Sequence, residues 1–90
     1  MYEIVFSPDA KNDLEKLKKN EPASFRKAVR LLDEIALHPM IGTGHPEPLK
    51  GKPQGRWSRQ INKKHRIVYR IHDERIYIEI LSAYGHYGDK

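Results

Sequence analysis

Ninety residues give one domain with a single core, enough to bury roughly 60–65% of the surface the unfolded chain would expose. The chain has no cysteine, which excludes a disulfide framework and a zinc–thiolate site and fits a reducing, cytoplasmic setting. Seventeen Lys and Arg against twelve Asp and Glu leave a formal charge of +5, which points to nucleic acid or to a strongly acidic protein partner without separating the two. No apolar run approaches the ~18 residues of a membrane span and no signal peptide opens the chain, so a soluble cytoplasmic protein is expected.

In chain order, residues 2–6 are rich in β-branched and aromatic types and read as a first strand. Ser7, Pro8 and Asp9 form a helix entrance: a cap, a residue suited to the first helical position, and an acid at the positive end of the dipole. Ala10, Leu14 and Leu17 supply a narrow apolar side, and the helix breaks at Asn20, Glu21 and Pro22. A second helix follows with the clearest periodicity in the chain, Phe25, Ala28, Leu31, Leu32 and Ile35 making a stripe that would lie on a sheet. Its Arg26, Lys27 and Arg30 read as a solvated outer face. His38 and Pro39 end it.

After Gly55 the pattern alternates. Trp57, Arg59 and Ile61 share one face of a strand, with Ser58 and Gln60 on the other, and Asn62 to Lys64 reads as a tight turn. The next strand sets Ile67, Tyr69 and Ile71 against Arg66, Val68 and Arg70. A turn at Asp73 and Glu74 leads to a last strand with Ile76, Ile78 and Ile80 opposite Tyr77, Glu79 and Leu81. The result is an α+β domain of order β-α-α-β-β-β, spanning residues 1–90, with two helices on one face of an antiparallel sheet and a cationic face on the other. Arg66 and Arg70 either serve that open face or pair with Glu79 across the hairpin.

Chemistry concentrates in three places. Between Gly42 and Lys50 the chain reads GTGHPEPLK: Pro46 and Pro48 restrict Glu47 from both sides, and the glycines allow a sharp entry. This is either a Pro-rich connector or an acid held ready to move a proton. Arg66 is a cation on the open face, and His86 is an imidazole just beyond the last strand, flanked by Tyr84 and Tyr87. Acid, cation and imidazole are what RNA cleavage by its own 2′-hydroxyl requires, and tyrosines give bases a stacking surface. The histidines His38, His45, His65, His72 and His86 show no helical i, i+3 or i, i+4 pairing, so neither metal nor cofactor is expected. From residues and spacing alone, a basic binding module ranks ahead of a ribonuclease.

Four runs in order, GTGHPEPLK, GRWSRQIN from Gly55 to Asn62, HRIVY from His65 to Tyr69, and His86 with Tyr87, closely resemble the YoeB/Txe toxins of the RelE superfamily of bacterial toxin–antitoxin systems. The resemblance covers nearly the whole chain. It implies a microbial-ribonuclease-like fold and a metal-independent endoribonuclease that cuts mRNA in the ribosomal A site. It implies Glu47 as general base, His86 as general acid and Arg66 as the transition-state cation, with Lys50 and Tyr87 in support. Gln60 stands where family members commonly carry a second arginine, so Arg59 or Arg56 is expected to supply that phosphate contact. The tail runs three residues past Tyr87, where some members stop. The implied partners are the ribosome, mRNA, a YefM/Axe-like antitoxin with a disordered acidic segment, and a second copy of the chain, since family members can be dimers. The alternatives are a non-enzymatic toxin of the same fold, like the ParE-type gyrase inhibitors, and a degenerate RNA binder. Glu47 and His86 argue against the first, and Gln60 is the sign of decay on which the second rests.

Overall fold

A computed structural model describes residues 1–49, 55–72, 74 and 77–84. Ser7 joins two elements at once. It follows strand β1 (Glu3–Phe6) in an extended conformation, and its Oγ accepts the Ala10 N–H at 3.0 Å, capping helix α1 (Pro8–Asn20). The same hydroxyl donates to the Leu81 carbonyl at 3.0 Å, which stitches the helix start to the last strand. At the other end of α1 the Glu21 N–H reaches the Leu17 carbonyl at 2.7 Å, and Pro22 then opens helix α2 (Pro22–Leu37) with a φ already suited to it. The expected stripe of α2 faces inward: Ala28, Leu31 and Ile35 are fully buried, with Phe25 and Leu32 packed at their margin.

The sheet has five strands, in the order β1-β5-β4-β3-β2. Strands β3 (Arg56–Gln60), β4 (Arg66–His72) and β5 (Tyr77–Ser82) form the antiparallel meander read from the alternation. Asn62 makes the first turn, its Oδ1 accepting the Lys64 and His65 N–H groups at 2.8 Å each. The second turn falls partly outside the described residues, as do Asp73 and Ile76. Two pairings extend the expected pattern. β1 joins β5 in parallel, with Glu3 beside Tyr77, and the two-residue strand β2 (Glu47–Pro48) adds to the outer side of β3. Proline has no N–H to give a ladder, so Pro48 is acceptable only because β2 is an edge.

The core lies between the helices and one face of the sheet. Leu17, Leu31 and Ile35 meet Ile61, Ile67, Tyr69, Ile78 and Ile80. Each such aliphatic side chain contributes ~1.5–3 kcal/mol by leaving water, and Ile80→Ala would cost ~2–5 kcal/mol. Near the end of β5 the register slips: Tyr69 pairs with Ile80 but Val68 with Ser82, leaving Leu81 as an extra residue. Beyond the slip, the Ala83 N–H donates to Asp13 of α1 at 2.9 Å. Among the described residues no helix is long and apolar enough to cross a membrane.

Candidate functional site

The face of the sheet away from the helices carries three cross-strand rows. Glu47 pairs with Ser58, Ser58 with Val68, and Val68 with Ser82. To one side lies Gln60 opposite Arg66, and to the other Arg56 opposite Arg70, which in turn meets Glu79. Residues paired in this way share a face, so Glu47 and Arg66 stand on one open face of the sheet. They are two strands and one row apart, about 12 Å between Cα atoms at standard sheet spacings. Glu47 is exposed and Arg66 half-buried. Glu79 Oε1 lies 3.4 Å from His72 Nε2, and no ion pair between Arg70 and Glu79 is found among the described residues.

The loop that delivers Glu47 is wrapped around a buried arginine. Arg59 is fully buried; its guanidinium donates to Glu34 Oε1 at 3.1 Å, the His38 carbonyl at 2.8 Å and the Ile41 carbonyl at 2.9 Å. Glu34 also accepts the Thr43 N–H at 2.9 Å. Thr43 and, after it, the Arg59 charge hold the Glu34 carboxyl below the usual carboxylate range. Tyr69 adds a further tie, its hydroxyl donating to the Pro39 carbonyl at 2.6 Å, and burial pushes that phenol up. The Gln60 N–H then fixes the loop end on the Gly44 carbonyl at 2.6 Å. Gly44 sits at φ +88°, and a Cβ there would fall 2.6 Å from the Gln60 carbonyl, so glycine is required.

This corrects one expectation. Arg59 was assigned to a phosphate, but its fork is spent on the helix end and the loop. It shares the inward face with Trp57 and Ile61, and the alternation already indicated that side. A guanidinium satisfies such a site because it presents several donors in one plane.

Tyr84 is also reassigned. Its ring lies 4.4 Å from that of His65, with Lys16 Nζ 5.2 Å from its centroid, so it packs inside rather than offering a face to a base. His65 is buried and meets Glu21 Oε2 at 2.9 Å. The His65 hydrogen bond comes first and Lys64 adds to it in keeping the Glu21 carboxyl low. Sequence reading passed over this pair, although His65 falls in phase with Ile67 and Tyr69 on the inward side. Lys50, His86 and Tyr87 lie outside the described residues.

Comparison with known proteins matches residues 6–87 to the YoeB-like toxin of bacterial type II toxin–antitoxin systems. The toxin YoeB of Mycobacterium bovis is 39% identical over 87 residues, covering 97% of this chain and all of that one. The Staphylococcus aureus YoeB dimer superposes with a TM-score of 0.84 at 37% identity, over 96% of this chain and 98% of the other. YoeB in the heterotetrameric YoeB–YefM toxin–antitoxin complex of the same organism gives 0.81 at 36%, over 97% and 99%.

Proposed function

The chain belongs to the YoeB-like toxins of bacterial type II toxin–antitoxin systems, and on that footing we propose that it is a ribosome-dependent, metal-independent endoribonuclease that halts translation by cutting mRNA in the A site. The observation that carries this reading is the shared face: a proline-braced carboxylate and an arginine stand on one open side of the sheet, held by strands rather than by free loops.

Glu47 takes the proton from a ribose 2′-hydroxyl, and the 2′-oxygen attacks the adjacent phosphorus. Arg66 stabilises the charge that builds on the phosphorane oxygens. The P–O5′ bond breaks, and His86 delivers a proton to the departing oxygen. The products are a 2′,3′-cyclic phosphate and a 5′-hydroxyl, so the atoms balance without any further reagent. Lys50 and Tyr87 support the phosphate and the acid.

The S. aureus relatives assemble as a dimer and with YefM, and both partnerships are proposed here, the antitoxin through an acidic segment suited to a +5 chain. The test is primer extension on a message translated in a cell-free extract. The wild-type chain should leave new ends at codons, and Glu47→Ala and His86→Gln should leave full-length product while still binding the antitoxin. Unchanged cutting by both variants would overturn the assignment.

A further inference from the structure

A polar concavity of about 270 Å³ opens beside the open face, lined by Lys27, Gly44, His45, Gln60 and Asn62. Most of its lining polar groups can be accounted for. The Gly44 carbonyl is taken by the Gln60 N–H, Asn62 Oδ1 by the Lys64 and His65 N–H groups, and Asn62 Nδ2 by Ser24 Oγ at 2.8 Å. The Lys27 ammonium, the His45 imidazole and the Gln60 carboxamide remain, with no side-chain partner among the described residues. No carboxylate lines the cavity, so the Lys27 charge has no counter-charge in the lining.

Its backbone is unusual at one point. His45 has φ 53°, the left-handed region, which is strained for a residue that carries a Cβ. Gly44 bound to β3 on one side and Pro46 on the other hold it there. The imidazole is therefore presented to the cavity by a rigid segment, two residues before Glu47. Across the strand, Gln60 pairs with Arg66. The cavity thus adjoins the Arg66 end of the open face.

We propose that this concavity is a phosphate–ribose subsite for the RNA strand next to the cleaved bond, with Lys27 and His45 donating to the phosphate and Gln60 to phosphate or ribose hydroxyl. This rests on the endoribonuclease reading above. The volume suits one phosphate with its sugar rather than a larger ligand, water itself occupying about 30 Å³. A carboxamide that both donates and accepts suits a ribose hydroxyl, and the antitoxin affinity measured in parallel separates an RNA occupant from an acidic peptide. Lys27 thereby leaves the solvated helix face to which its sequence position assigns it.

The experiment compares the full chain with Lys27→Gln and His45→Asn, the latter keeping a residue that tolerates the left-handed region. Cleavage of ribosome-bound message is followed against toxin concentration and salt, and antitoxin affinity is measured in parallel. Each variant should raise the half-saturating concentration about 5–10-fold, with antitoxin affinity kept within about two-fold. Lys27→Gln should also flatten the log–log salt slope by about 0.7. A 2′-O-methyl RNA trinucleotide titrated into the free protein should shift the His45 ring signals. Unchanged half-saturation and unshifted His45 signals would overturn the subsite, as would antitoxin affinity falling while cleavage holds. If Glu47→Ala still cuts, the catalytic reading has failed instead, and the trinucleotide titration still reports on the cavity.

Discussion

On the helix side of the sheet, Arg59 gives its guanidinium to Glu34 and two carbonyls, and His65 is matched by Glu21. On the open side, Arg56 and Arg70 face each other across β3 and β4 without an ion pair among the described residues, and Glu47 stands exposed at the edge. The two faces use similar residue types for opposite ends. A charge taken out of water must be matched locally or the fold loses several kcal/mol, so the inner arginine is given a carboxylate and two carbonyls for its terminal nitrogens, while its Nε stays buried without a hydrogen bond among the described residues. A charge meant for a phosphate has to be left unmatched, and the adjacent like charges that result can be kept only at a solvated surface. The inner arginine ties a loop to a helix end, and Arg56 and Arg70 on the open face have no such role among the described residues.

The largest effect that sharpens this contrast is on cleavage. Glu47→Ala should lower the single-turnover rate ~10²–10⁴-fold, and Arg66→Ala ~10²–10³-fold, with thermal unfolding unchanged. Arg59→Ala should act the other way round, costing about 3 kcal/mol of stability through lost volume and stranded carbonyls. In a domain of this size that is about 12–24 °C in Tm, read by calorimetry. Arg59→Lys should fail to restore it, because one ammonium cannot serve three acceptors lying around a plane. An Arg59→Ala chain that melts like the wild type yet cuts poorly would break the comparison. Gly44→Ala should cost about 1–3 kcal/mol in urea unfolding, from the positive φ and the clash with the Gln60 carbonyl.

The smallest effect concerns pH. Glu21 and Glu34 ionise more easily folded than unfolded, so the stability they add is present above the ordinary glutamate value of about 4.3 and is lost as pH falls through their lowered values. Urea midpoints should therefore decline below about pH 4. Glu34→Gln should show a shallower decline, and an equally steep one would count against the Thr43 and Arg59 contacts as its source.

Much of the architecture was legible because it is written in local periodicity. Ser7 caps where a cap was expected, the α2 stripe faces inward, and the meander follows the alternation. The parallel β1–β5 pairing was not legible, since it joins residues more than seventy positions apart and no local pattern encodes it. Strand β2 was hidden by its own prolines. Glu47 and Arg66, read from stiffness and charge, stand on the same open face of the sheet. Arg59 reads as a ligand by residue type although it lies on the inward face of its strand; Tyr84 falls beyond the last strand, where alternation assigns no face. Lys27 shows the converse, a helix-surface lysine whose neighbour in space, His45, is eighteen residues away in sequence.

The most direct test of the central claim replaces one oxygen in the substrate. A message carrying a single 2′-deoxy nucleotide at the cleaved position should bind in the A site and remain intact with the wild-type chain, while the all-ribose message yields a fragment ending in a 2′,3′-cyclic phosphate. Cleavage of the deoxy message at an undiminished rate would contradict the account, because the attacking oxygen that Glu47 is proposed to deprotonate would be missing.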